Sequence, residues 1–238
     1  MIITACHFRR MEYSLQHAEA LAKVRGIEDC HYIAMCEPHA ATPYIVDQLN
    51  RIPCKQKSII VNDKVLGCGM NTYQALSLGF GFAKASGDDF VIHVEDDVLL
   101  AVDALEMFAH CRDAYRHEYR VLNVSAWNRD TRLHHGGMAH GLRRKEWFSP
   151  WGWGTWADRW RDIELNWVND PWDITINTVT RMNRVQVYPT LSRSQNIGEW
   201  LGEYCPGPEW HKANQHCDKW ARDVPEMTTP GEWKEVAA

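Results

Sequence analysis

The segment Phe90-Val91-Ile92-His93-Val94 runs directly into Glu95-Asp96-Asp97, and this junction constrains the chain more than any other feature. A largely apolar strand belongs in a core. Three consecutive carboxylates do not, because they repel one another and lose solvation on burial. A strand carrying both calls for a cation at its carboxyl end. Mg²⁺ or Mn²⁺ with a phosphate-bearing ligand is the natural candidate, since these ions take oxygen donors and share phosphates with one or two protein carboxylates. The plain alternative is a solvated acidic turn after a strand.

The flanking sequence reads as an α/β sheet with covering helices. Ile2 to Ala5 reads as a first strand, and Leu15, Ala18 and Ala22 give residues Tyr13 to Arg25 a helical spacing. A second strand spans His31 to Cys36, a short helix Pro43 to Leu49, and a third strand Ser58 to Val61. The loop Asn62 to Met70 contains Gly67 and Gly69 and is able to approach a ligand. A helix follows over Asn71 to Ala85, with Leu76, Phe80 and Ala83 on one face, and leads into the acidic strand. The carboxylates therefore close a strand–helix–strand unit, at the strand end where open α/β sheets gather ligands.

Beyond them, Asp103 is placed to cap a helix whose apolar face is Leu105, Phe108, Cys111, Tyr115 and Tyr119, and Val121 to Ala126 reads as another strand. The second half changes character. Gly136-Gly137 and the basic run Arg143-Arg144-Lys145 precede Trp151-Gly152-Trp153-Gly154-Thr155-Trp156, which reads as a loop entering a helix at Ala157 to Arg161 rather than as a strand. A helix over Ile174 to Asn183 and a strand over Val185 to Tyr188 follow. The tail from Pro206 is rich in Pro, Trp and His, lacks periodicity, and is able to fold over a site.

Composition narrows the function classes. A formal net charge of -5 disfavours a strongly basic nucleic-acid binder, leaving only the local patch Arg143-Arg144-Lys145. Twelve tryptophans offer faces for sugars or bases, and equally for a core. The 8 cysteines have no paired metal-ligand spacing and read as free thiols. The first residues read as a strand rather than a leader, so a cytoplasmic location is expected. No apolar run reaches the roughly 18 residues that span a bilayer, so no stable membrane insertion is expected.

Taken in order, "VIHVEDDVLL", "VLNVSAWN", "SPWGWGTWADRW" and "YPTLSRSQNIG" resemble GT-A type glycosyltransferases of the animal N-acetylglucosaminyltransferase I family and its bacterial and viral relatives. The resemblance runs from about Ile2 to Gly198. It implies a Rossmann-like nucleotide-sugar-binding fold with a mostly parallel central sheet, in a single catalytic domain over 1–238. Residues 1–126 are then the nucleotide-sugar-binding half, 127–205 the acceptor and catalytic half, and 206–238 a C-terminal tail.

By the same resemblance, Asp97 is the metal ligand for Mn²⁺ or Mg²⁺, Asp96 lies near the ribose, and Glu95 supports the site. Arg9 and Asn71 are donor-side contacts; a surface charge and a helix cap are the structural alternatives. Asp173, in Pro171-Trp172-Asp173-Ile174, is the implied general base, with Asp170 in reserve because Ile174 stands where the animal enzyme has a second aspartate. A helix cap is its alternative role. Trp153 and Gly154 are the implied shapers of the sugar pocket. Relatives carry a metal-ligating histidine soon after "QNIG"; this chain has Tyr204-Cys205 there, and His211 is the candidate substitute.

The expected activity is a metal-dependent, inverting transfer from a nucleotide sugar such as UDP-GlcNAc or UDP-Glc to an acceptor hydroxyl on a glycan, a protein or a modified nucleobase. The basic run favours an anionic acceptor. Two other classes stand beside it. A metal-dependent phosphohydrolase or nuclease also uses clustered carboxylates, and a non-catalytic carbohydrate-binding protein also uses tryptophan.

Overall fold

The computed structural model describes residues 1–129, 139–202 and 205–236. Gly136-Gly137 and Tyr204 lie outside them. In chain order the elements are β1 (Ile2–His7), α1 (Met11–Leu21), β2 (His31–Cys36), α2 (Thr42–Asn50), β3 (Gln56–Val61), α3 (Cys68–Ser86), β4 (Phe90–Glu95), β5 (Val98–Leu100) and α4 (Ala104–Ala114). There follow β6 (Val121–Ser125), β7 (Gly141–Lys145), β8 (Trp153–Trp156), α5 (Ala157–Leu165), α6 (Trp172–Thr175), β9 (Val185–Pro189), β10 (Ser194–Asn196), α7 (Pro208–Asn214) and β11 (Lys234–Glu235).

The described strands form a 9-stranded sheet in the order β11-β7-β9-β6-β8-β4-β1-β2-β3, and β5 pairs with β10 in a separate two-stranded ribbon. The half built from β3, β2, β1 and β4 is wholly parallel, and β8 is inserted antiparallel between β4 and β6. This is the expected α/β class with a mostly parallel sheet. Both faces are covered, which explains why β2 and β4 read as near-continuous apolar runs rather than alternating ones.

Side-chain alternation divides β4 between two layers. Phe90, Ile92 and Val94 pack with Ala18 and Leu21 of α1, Ile45 and Leu49 of α2, and Leu105 and Phe108 of α4. Val91 packs on the other face with Leu76 and Phe80 of α3 and Trp160 and Ile163 of α5. Phe80 and Trp160 stack with ring centroids 5.3 Å apart, an aromatic pair worth about 0.5–1.5 kcal/mol beyond its burial. Gly79 lets α3 sit directly on the sheet: a Cβ there would lie 2.6 Å from Thr4 Cγ2 and 3.0 Å from Val91 Cγ1.

Three expectations are corrected. The tryptophan segment is a strand: β8 pairs Trp153 with His93 and Gly154 with Ile92, because its alternating small and large residues fit between two buried strands. Asp103 stands before α4 but makes no cap with its side chain; it is fully buried against Arg193 Nε, at 3.0 and 2.9 Å from its two oxygens. Tyr119 lies beyond the end of α4 and is exposed. The tail has structure of its own, α7 and a parallel edge strand β11 on β7. No described helix is long and apolar enough to cross a membrane.

On the α3 face, His93 is fully buried and its Nδ1 lies 3.0 Å from Thr4 Oγ1, whose single proton goes to Ile92 O at 3.1 Å. His93 Nδ1 is therefore the donor, and Nε2 is a buried lone pair with no partner. Burial, followed by the nearby His17, pulls His93 down to about 3. A histidine depressed in the fold contributes stability above its unfolded value near 6.5 that is lost as pH falls through the folded value. His93→Gln, which cannot take up a proton, should consequently destabilise most at neutral pH. Its deficit relative to the parent should shrink by about 1.4 kcal/mol for each pH unit below about 6.5. Urea unfolding of both proteins between pH 7 and 4 measures this; parallel stability curves would contradict the buried neutral histidine.

Candidate active site

β4 delivers its carboxylates to the carboxyl edge of the parallel strands, next to the end of β1, because Cys6 pairs with Glu95. The chain leaving β1 turns at Arg9, whose φ of 47° is in the left-handed region, and enters α1. This turn aims the next side chain at the acidic cluster. Arg10 Nη1 donates to Asp97 Oδ2 at 2.8 Å while Nη2 binds Asp96 Oδ1. The backbone N–H of Phe8 adds a 3.4 Å contact to Asp96 Oδ2.

Asp97 is also held from the opposite side. Asn196 of β10 donates Nδ2–H to Asp97 Oδ1 at 3.3 Å, and the backbone N–H of Ile197 donates to Asp97 O at 2.8 Å. Gly198 follows so closely that an added Cβ would lie 2.1 Å from Asp97 Oδ2; only glycine leaves the carboxylate its place. Asn196 Oδ1 accepts the N–H of Gly198 at 3.0 Å and lies 2.7 Å from His211 Nε2. Since that oxygen can only accept, His211 carries its proton on Nε2. His211 is buried and reaches Asp97 through Asn196, not directly.

One guanidinium does not balance three carboxylates. Burial and then Asp97 raise Glu95 well above the usual carboxylate range, with Arg10 opposing them. Asp96 is pushed up to about 6 by burial, Arg10 again opposing and Asp97 adding to the rise. Burial disfavours charge on Arg10 as well, but Asp97 and Asp96 outweigh it and hold the guanidinium more firmly protonated than usual. The cluster is thus short of positive charge.

These residues line a cleft of about 370 Å³ together with Glu37, Gly67, Asn71 and Trp151. Glu37, at the end of β2, is 3% exposed and accepts the backbone N–H groups of Leu66 and Gly67 on Oε1, each at 2.8 Å. It thereby fixes the loop that opens α3. Asn71 is buried in the first turns of α3, donates to Met35 O at 3.2 Å and accepts from Asn62 Nδ2 at 2.9 Å; it ties the cleft wall together and is not the helix cap, which falls at Gly67. Arg9 lines the mouth, with Nη2 3.4 Å from Leu201 O.

The expected site residues divide into three groups. Arg9, Asn71, Glu95, Asp96 and Asp97 converge on the cleft. Asp173, in the first turn of α6, is half-buried, raised by that burial, and near enough to Glu95 to act on its charge; Asp170 is exposed. Trp153 and Gly154 are elsewhere. Trp153 is fully buried among Phe148, Trp172 and His93, and a Cβ on Gly154 would meet the Phe90 ring at 2.6 Å, so both serve the sheet and Trp151 takes the place on the cleft wall.

Residues of the site not singled out from sequence are Arg10, Glu37, Trp151 and Asn196, although Trp151 opens the tryptophan segment in which Trp153 and Gly154 were named. Glu37 carries the same signal as Glu95, an acid at a strand's carboxyl end. Arg10 had no such signal, because the turn at Arg9 decides its direction.

The donor set suits a divalent hard cation. It offers carboxylate oxygens in excess of the local positive charge, but among the described residues no group of three or more His, Cys, Asp or Glu converges so as to hold a metal ion by itself, and any ion there would depend on ligands from outside the protein. Such an open arrangement fits Mg²⁺ or Mn²⁺, which keep waters and phosphate oxygens among their ligands.

The fold is similar to those of solved glycosyltransferases. The mannosyltransferase PcManGT from Pyrobaculum calidifontis, in complex with GDP-Man and Mn²⁺, aligns with a TM-score of 0.55 and 12% identity over 79% of this chain and 54% of its own. TarS 1-349 from S. aureus aligns with a TM-score of 0.57 and 11% identity over 81% of this chain and 59% of its own. The same TarS fragment in complex with UDP-GlcNAc gives a TM-score of 0.56 and 12% identity, covering 81% of this chain and 57% of that one. This chain spans little more than half the length of those proteins. Together they show the GT-A fold. The sequence model of the GNT-I family matches residues 73–203, from α3 through the acidic triplet and past Gly198, and with more than half of its length so matched the chain belongs to the GNT-I family.

Proposed function

We propose that this chain is a metal-dependent glycosyltransferase that moves a sugar from a nucleoside diphosphate sugar to an acceptor hydroxyl with inversion. UDP-GlcNAc and UDP-Glc are the leading donors, in line with the UDP-GlcNAc complex of TarS. The observation that carries the reading is the cluster of three carboxylates, charge-deficient and served by one guanidinium, on the floor of a cleft at the carboxyl edge of the parallel strands. A bare diphosphate is repelled there. A diphosphate accompanied by a divalent cation is not.

Asp97, with Asp96 beside it, would hold the Mg²⁺ or Mn²⁺, which when bound offsets the charge that develops on the leaving diphosphate. Asn196 and Gly198 keep the Asp97 carboxylate in place, and Arg10 supplies a fixed cation on the opposite side. Glu37 and Asn71 shape the donor wall by holding the loop before α3, with Arg9 at its mouth. His211 acts on Asp97 through Asn196.

Asp173 is the proposed base. It takes the proton of the acceptor hydroxyl as that oxygen bonds to the anomeric carbon, while the bond from the anomeric carbon to the phosphate oxygen breaks and its electron pair leaves with the nucleoside diphosphate. A half-buried carboxylate raised above its usual value is better suited to receive a proton than a fully solvated one. Residues 1–126 then serve the donor and 127–205 the acceptor, with the tail from 206 closing the cleft through Gln215. No disulfide joins any of the 8 cysteines, in keeping with action in the cytoplasm.

Thermal-shift and calorimetric titration with a panel of nucleotide sugars, in Mn²⁺ and in EDTA, tests the donor half. A UDP-sugar should stabilise the protein only with metal, and Asp97→Ala or Gly198→Ala should abolish that response while unfolding remains cooperative. Undiminished UDP affinity in Asp97→Ala would remove the metal assignment.

Asp173→Asn should retain donor binding and lose about 10²–10⁴-fold in turnover, followed as UDP release. Near-normal turnover would move the base to another residue.

A further inference from the structure

The run Arg143-Arg144-Lys145 forms the end of β7, and strand alternation divides it between the two faces of the sheet. Arg144 shares the face of Leu142. Its guanidinium pairs with Glu118 and with Glu235 Oε1 and lies 5.3 Å from the Tyr115 ring. Its charge is fully used within the fold.

Arg143 and Lys145 point the other way, opposite Tyr188 and Gln186 of β9. Lys145 Nζ lies 5.0 Å from the Trp127 ring centroid and 4.9 Å from that of Tyr188, and donates a hydrogen bond to Ser149 Oγ at 2.9 Å. An ammonium has three donors, and neither aromatic face accepts as a carboxylate does. Among the described residues no carboxylate pairs with Arg143 or Lys145, and Arg143 Nε is buried without an acceptor. Desolvation pulls Lys145 down to about 8, with Cys217 nearby opposing. Two cations on one half-buried face with no counter-charge among the described residues favour a ligand that supplies one.

The face adjoins the cleft. Trp127 packs on Trp151 with centroids 4.5 Å apart, and its Nε1–H donates to Gln215 O at 3.0 Å; Trp151 and Gln215 both line the donor cleft. An aromatic partition thus separates an acidic compartment from a basic one.

We propose that Arg143 and Lys145, flanked by Trp127 and Tyr188, bind a phosphate or carboxylate group of the acceptor, so that the sugar is passed to a hydroxyl of an anionic saccharide. The half-buried Tyr188 ring suits a pyranose face, buried Trp127 backs Lys145, and Arg143 and Lys145 supply charge-assisted hydrogen bonds to the anion. The acceptor assignment rests on the glycosyltransferase reading; the anion site itself does not.

Competitive acetylation of the full chain by acetic anhydride, read by peptide mass spectrometry, tests it without requiring turnover. Glucose 6-phosphate or glucuronate should slow acetylation of Lys145 several-fold and leave exposed Lys84 unchanged, while glucose should have no effect. Stronger protection by one of the two charged sugars identifies phosphate or carboxylate as the preferred group. Arg143→Gln should lose the protection while keeping metal-dependent UDP-sugar binding. Equal labelling of Lys145 with and without the charged sugars overturns the site, and equal protection by inorganic sulfate reduces it to an adventitious ion only. If protection occurs but no nucleotide sugar binds the parent protein, the acceptor assignment falls together with the glycosyltransferase reading. If donor binds and protection fails, the acceptor proposal alone falls.

Discussion

Most of the cleft's architecture follows from an imbalance of charge at the end of one buried strand. Glu95, Asp96 and Asp97 cannot retreat into solvent, because β4 is paired on both sides and covered on both faces. Arg10 neutralises only part of their charge. Burial first, and then the remaining negative charge, raises Glu95 and Asp96, and leaves a site that favours further positive charge. Like charges about 4 Å apart cost roughly 4 kcal/mol at an effective dielectric near 20, enough to decide the ionic form of any ligand that enters.

The position of Asp97 depends in turn on a second, fully internal ion pair. The β5–β10 ribbon sets Asn196 opposite Val98 and so brings its amide to Asp97. Beside that ribbon, Arg193 pairs with Asp103 at the start of α4 and donates to Leu191 O, Ala139 O and Met227 O. One guanidinium therefore joins α4, the ribbon and the tail. With both partners inaccessible to solvent, removing either would strand a charge at a cost of about 3–5 kcal/mol. Such a pair does little for net stability compared with an apolar substitute, but it specifies where the ribbon lies.

These arrangements explain what could and could not be read from the residues alone. β2 was legible to its end residues because five consecutive buried positions, Tyr32 to Cys36, leave no ambiguity of period. The acidic triplet was legible because its chemistry conflicts with its surroundings. Asp103 was misread, since a lone acid before a helix looks like a cap whether or not a buried arginine arrives from 90 residues away. Trp153 and Gly154 were misread for a related reason: glycine between tryptophans resembles a flexible aromatic loop, and only the presence of Phe90 across the strand pair shows that the glycine makes room for a ring. Arg10 depends on one left-handed residue, which no periodicity reports.

The separation of opposite charges across the Trp127–Trp151 partition bears on how two anionic substrates could be handled by one chain. An anionic acceptor placed beside Glu95, Asp96 and Asp97 would meet the same repulsion as a bare diphosphate, and a second divalent cation would be needed to admit it. Housing its charge on the Arg143–Lys145 face removes that need, because the aromatic rings keep the basic side chains apart from the acidic ones that would otherwise neutralise them. The same division accounts for a chain whose formal net charge of -5 coexists with two cations that no carboxylate pairs among the described residues. Overall charge describes the surface as a whole, whereas recognition depends on which charges the fold leaves without a partner.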